Sequence, residues 1–205
     1  MWVRVAVWEV QTGEVSQLSV GDTIERLGVR ATFWTLEPSD EDDGVTQLVG
    51  SDPAGEESPF YRVVGRVNWT CEPHSLVVSV GPFRLVAEPM AVGAVEVSPQ
   101  HELPLDPVLP DVGLPEVGDR VALVARLSSM LEYEPDAFGY PDVGRAWVVR
   151  RLRVEHRELV ASSVYPRGSE PGRILRIVDI PRMLRWADAP RDSHASYLVD
   201  VVPTP

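Results

Sequence analysis

The chain has 205 residues, 44% of them hydrophobic, enough for a packed core and too many for a disordered chain. Its net charge of −12, from 19 basic and 31 acidic side chains, speaks against a general nucleic-acid or anionic-membrane binder and suits a protein partner that is itself basic. A single cysteine, Cys71, excludes an internal disulfide framework and suits a reducing compartment.

The chain begins with a short alternating run. Val3, Val5 and Val7 fall on one face of a strand, and Trp2, Arg4, Ala6 and Trp8 on the other. This start reaches Glu9 early and lacks a basic leader, so it does not read as a signal peptide. No apolar run approaches the roughly 18–20 residues of a membrane helix. A cytoplasmic protein without membrane contact is therefore expected.

Val20-Gly21-Asp22 reads as a turn into a second strand, which runs from Ile24 to about Leu36 with a bend at Gly28. From Glu37 to Pro59 the alternation breaks. Glu37-Pro38-Ser39-Asp40-Glu41-Asp42-Asp43-Gly44 is acidic and carries no apolar side chain, so 37–59 is expected to be a long acidic loop with at most a short strand at Val45–Val49. Such a loop suits a solvated insertion or a recognition element for a basic partner. Further strands are expected at Phe60–Trp69, Leu76–Val80, Phe83–Ala87 and Val92–Val97.

Pro104, Pro107 and Pro110 recur every third residue, which suits a polyproline II connection. The sequence then restarts. Val117-Gly118-Asp119 echoes Val20-Gly21-Asp22, and Trp147–Val154 echoes Tyr61–Val67 in the same order. Later strands are expected at Glu158–Val164, Arg173–Ile180 and Ser196–Val202. This predicts an all-β protein of two small barrel-like modules, SH3-like or OB-like and possibly duplicated. The first covers 1–98, the Pro-rich connection 99–115, and the second 116–205. The halves differ in charge. Residues 1–98 carry 6 Arg against 15 Asp and Glu, and 99–205 carry 13 Arg against 16, so their net charges are −9 and −3.

The opening Trp-bearing strand, the Val-Gly-Asp turn and a strand ending near Phe33-Trp34 resemble small uncharacterised β proteins of high-GC bacteria. The resemblance covers about the first 90 residues. That family has no assigned activity to carry over, so it implies no site residues.

Nucleotide-binding loops, zinc-protease helices and nucleophile elbows are all missing from the sequence. The candidates are scattered side chains. Cys71 and His74 form a Cys-x-x-His pair that could begin a zinc site or act as nucleophile and base. Zinc would need two further ligands, and an inert thiol beside a turn histidine suits the pair as well. Tyr133 and Tyr140 lie in a run with Glu132, Glu134, Asp136, Phe138 and Asp142, a composition that suits recognition of a sugar or cation, or an ordinary hairpin loop. Arg151, Arg153 and Arg157 are expected to share a strand face with Trp147, as in OB-like domains that hold single-stranded nucleic acid. Glu155, Glu158 and Asp179 would neutralise that face. The leading expectation is a non-catalytic adaptor that contacts another protein and needs no cofactor. The alternatives are a nucleic-acid-associated protein using Trp147, Arg151 and Arg153, or a small metal or thiol enzyme at Cys71 and His74.

Overall fold

A computed structural model describes residues 1–6, 9–10, 17–50, 59–71, 75–90, 115–130, 139–161, 169–183 and 193–204, leaving out the side chains of 71, 169–171 and 193–194. The described chain is nearly all β, as the period-two valine pattern predicts. In order the strands are β1 (Trp2–Ala6), β2 (Thr23–Pro38), β3 (Gly44–Gln47), β4 (Tyr61–Cys71), β5 (Ser75–Val80), β6 (Phe83–Pro89), β7 (Arg120–Met130), β8 (Arg145–Ala161), β9 (Ser169–Ile180) and β10 (Ser193–Pro203). They form one ten-stranded sheet, in which further β4–β7 and β2–β8 pairings close rings. No helix among the described residues is long and apolar enough to cross a membrane.

The spine is a long antiparallel ladder between β2 and β7, running from Gly28↔Met130 to Pro38↔Val121. Towards one end of this ladder, β2 pairs with β6 in parallel at Arg30–Phe33, β7 pairs with β4 at Arg120–Ala125, and β5 joins β4 to β6. Towards the other end, Thr23–Leu27 of β2 reach β8, Ser128 of β7 meets Arg4 of β1, and β10 joins β1 to β8. Each end thus closes a five-membered ring, and β2 and β7 belong to both.

The two rings match strand for strand. From β7, the first ring passes through β4, β5 and β6 by antiparallel pairs and returns to β2 by a parallel one. From β2, the second passes through β8, β10 and β1 by antiparallel pairs and returns to β7 by a parallel one.

Local detail matches as well. In the turn before β2, Asp22 N–H donates to the Ser19 carbonyl (3.1 Å) and Ser19 N–H to the Asp22 carboxylate (2.8 Å). Before β7, Asp119 N–H donates to the Glu116 carbonyl (3.1 Å) and Glu116 N–H to the Asp119 carboxylate (2.9 Å). The glycines between them hold φ of 95° and 105°, a left-handed conformation that favours glycine. Gly21 N–H donates to the Val149 carbonyl of β8, and Gly118 N–H to the Val67 carbonyl of β4. Directly after each of these valines the ladder slips by one residue, at Arg150 and at Asn68.

The rings cross the expected boundary between 1–98 and 116–205. β7, from the second half, closes the first ring, and β1, from the chain start, closes the second. The Pro-rich segment and the strand expected at Val92–Val97 lie outside the described residues, apart from Pro115. One hydrophobic cluster runs through both rings, from Val3 and Val5 through Val29, Phe33, Val63 and Leu123 to Trp147, Leu152 and Val199. The rings are also joined by the Trp2 N–H, which donates to Tyr61 Oη at 2.6 Å. Burial pushes the Tyr61 hydroxyl up to about 12.

Candidate functional site

The expected arginine face divides in two. Arg150 is the extra residue of the bulge in β8, so the side-chain alternation changes phase there. Trp147 and Val149 therefore point into the ring, as does Leu152 beyond the bulge, while Arg151 and Arg153 lie outside. Trp147 is 0% exposed; its Nε1–H donates to the Leu27 carbonyl at 3.0 Å, and its ring meets Phe83 edge-on at 5.2 Å. It does not share a surface with the arginines, which corrects the period-two expectation.

Arg153 and Arg151 bind one carboxylate, Asp179 of β9, at 2.9 and 3.6 Å. Both guanidinium groups also sit over the Trp2 ring, at 4.6 and 5.4 Å from its centre. The Arg153 hydrogen bond holds the Asp179 carboxyl below its usual range. Arg173 lies against Glu158 at 3.2 Å. Arg157 is buried, and its Nε donates to Glu155 at 2.6 Å. These arginines are engaged with acids rather than set out as a bare cationic stripe.

The described part of the acidic loop is anchored. Arg62 on β4 donates to Glu37 and Glu41 at 2.9 and 2.7 Å, and Arg120 on β7 pairs with Asp43 at 3.1 Å and also donates to the Glu41 carbonyl. Arg62 lowers the Glu41 carboxyl, chiefly through its hydrogen bond.

Tyr140 packs on a small outer cluster of Val77, Val86, Met130 and Val143, edge-on to Trp69 at 5.6 Å. Its hydroxyl donates to Glu88 at 2.6 Å and lies 3.2 Å from Ser75 Oγ. Burial, then the Glu88 bond, raises its pKa. Tyr133 lies outside the described residues, as does His74. Cys71 ends β4 opposite Ser75, and its side chain is outside the description. Among the described residues no group of three metal-ligating side chains comes together.

One feature is less evident from the sequence. β9 lies at the end of the sheet order and pairs with β8. Its first half is blunted by Pro171 and by slips in the ladder around Arg173 and Leu175. From Arg176 to Ile180 the pairing is regular. Six large hydrophobic side chains are exposed among the described residues. Leu175 (52%), Ile177 and Val178 are three of them, and Val20 is a fourth, its N–H bonded to the Pro181 carbonyl just past β9. The run Ile174-Leu175-Arg176-Ile177-Val178-Asp179-Ile180 carries the signal in sequence, because its aliphatic side chains fall on both faces.

Comparison of the chain with protein-family models, curated proteins and solved structures gives no match.

Proposed function

We propose that this protein is a binding or adaptor protein, and that it takes an extended segment of a protein partner along the outer edge of β9. The observation that carries the reading is the gathering of four of the six exposed large hydrophobics on β9 and at its end. A regular edge flanked by uncovered aliphatic side chains is the arrangement that strand addition uses. Backbone hydrogen bonds supply affinity, and alternate side chains supply selectivity. The partner segment in this reading is aliphatic at alternate positions, and the partner as a whole is basic, attracted by the charge of −12.

The reading extends to the architecture. The two matched rings are taken as two small barrel-like modules, SH3-like or OB-like, that arose by duplication and share β2 and β7. The paired turns before those strands and the paired bulges after Val67 and Val149 support this. The nucleic-acid alternative loses support at Arg151 and Arg153, whose charge is met by Asp179.

The test replaces Ile177 and Val178 together by Lys, which blunts an edge without touching the core. The tagged variant and the wild type are compared in capturing protein from the native host after nuclease treatment. The reading requires a stoichiometric protein that the wild type retains and the variant loses, while both keep the same far-UV circular dichroism. A partner retained equally by both would overturn it.

A further inference from the structure

A second feature lies on the outer face of the first ring. Arg66 of β4 pairs in register with Ser79 of β5, and Ser79 with Arg84 of β6. Residues paired in this way share a face. The two arginines therefore flank Ser79 with two strand spacings, roughly 10 Å, between their backbones. Above them is a cavity of about 330 Å³, lined also by Asn68, Trp69, Val117 and Pro141.

Its electrostatics differ from those of much of the arginine-bearing surface. Arg26, Arg30, Arg62, Arg120, Arg151, Arg153 and Arg173 each meet a carboxylate, as expected in a chain with 31 acids and 19 arginines. Arg66 instead donates Nη1–H to the Gly118 carbonyl at 2.7 Å, which fixes its head at the cavity, and it has no carboxylate partner among the described residues. Arg84 is exposed and has no ion pair or hydrogen bond among the described residues. Among the described residues no carboxylate lines the cavity. The lining also has apolar groups, with Val117 63% exposed and Trp69 packed edge-on against Tyr140. The corresponding surface of the second ring has diverged. There Asp200 stands opposite Arg151, where the first ring has Val77 opposite Trp69.

We infer that this cavity binds a small organic oxyanion, its acid group between Arg66 and Arg84 and its flat apolar body against Trp69 and Pro141. Two guanidinium groups with no carboxylate partner among the described residues favour a phosphate or carboxylate through charge-assisted hydrogen bonds. The cavity volume suits a single-ring molecule. The Asn68 amide, bonded to Ser79 Oγ, is a further polar group at the site.

The experiment titrates ¹⁵N-labelled full-length protein with phenyl phosphate and follows the Trp69 indole N–H signal. Benzoate, inorganic phosphate and phenol are parallel arms. Phenyl phosphate or benzoate should shift Trp69 saturably, and the stronger of the two identifies the acid group. Inorganic phosphate should bind more weakly, and phenol should not saturate. Arg84→Ala, at an exposed side chain with no hydrogen bond or ion pair among the described residues, should weaken binding about tenfold or more, the worth of one charged hydrogen bond. Arg84→Lys should restore part of it. A Trp69 signal unmoved by either organic anion, phenol binding as well as phenyl phosphate, or Arg84→Ala titrating like wild type would overturn the inference.

Discussion

Replacing Glu155 by Gln should destabilise the fold by about 3–5 kcal/mol, the penalty for breaking one side of a buried ion pair. Glu155 is 0% exposed. It accepts from Arg157 Nε at 2.6 Å, from Arg4 Nη2 at 3.1 Å and from Ser196 Oγ at 3.5 Å. Arg157 is 4% exposed, and its Nη1 donates to the Gly172 carbonyl at 3.3 Å. The group therefore ties together β1, β8, β9 and β10, most of the second ring. Glutamine keeps the volume and one acceptor but removes the charge. Arg4, at 27% side-chain exposure, can turn towards water. Arg157 cannot, so its positive charge stays buried and loses the Glu155 carboxylate. The retained carbonyl bond places the expected loss near the lower end of the range. In a chain of this size that corresponds to a melting-temperature drop of about 6–12 °C. Urea unfolding followed by circular dichroism reads the effect as a lower midpoint at unchanged slope. The double variant Glu155→Gln/Arg157→Met removes the buried positive charge as well and should recover part of the loss. A loss below about 1 kcal/mol in the single variant would refute the reasoning, because it would mean that the buried Arg157 charge does not depend on Glu155.

Three further outcomes are expected. At Gly65, inside the first ring, a Cβ would run into the Ser79 carbonyl oxygen and come within 2.7 Å of Val78 Cγ1, so Gly65→Ala should destabilise by about 1–3 kcal/mol in the same urea assay. Asp22→Ala and Asp119→Ala remove the same carboxylate-to-amide bond from matching turns, and their losses should agree within about 0.5 kcal/mol, each on the order of 1 kcal/mol. The His156 pKa is lowered by burial and then by Arg176, and its Nδ1 is buried without a hydrogen-bond partner among the described residues. A lowered folded-state pKa means that the unfolded chain binds the proton more readily. The His156 contribution is therefore complete above its unfolded value of about 6.5 and is lost as pH falls through the folded value. His156→Gln should flatten the decline in stability below pH 6.5 relative to wild type.

The all-β class was legible because its cause is local. Alternating valines, punctuated by Gly, Pro and Asp, favour strands wherever they occur. The Val-Gly-Asp repeat was legible for the same reason, since its hydrogen bonds are made within four residues. Ring membership was not, because nothing near Trp2–Ala6 specifies that its partners are β10 and β7, nearly 200 and about 125 residues away. That choice is set by pairings between segments far apart in the chain. The misplacement of Trp147 has a narrower cause. One inserted residue, Arg150, reverses the faces of everything after it, and bulges carry no dependable sequence mark. Asp179 was visible as a neutralising acid, but not as the shared partner of Arg151 and Arg153, which requires the β8–β9 register. Tyr140 was singled out as an aromatic near carboxylates in its own loop, while Glu88, Ser75 and Trp69, which it meets from other strands, carry no mark in the sequence.

Backbone hydrogen exchange across Arg176–Ile180, with the captured partner present and absent, tests the proposed strand addition most directly. Amides on the outer edge of β9 should exchange slowly in the complex and faster in the free protein, while those bonded to β8 change little. A bound partner that leaves the exchange of every β9 amide unaltered would contradict the account and move the interface elsewhere.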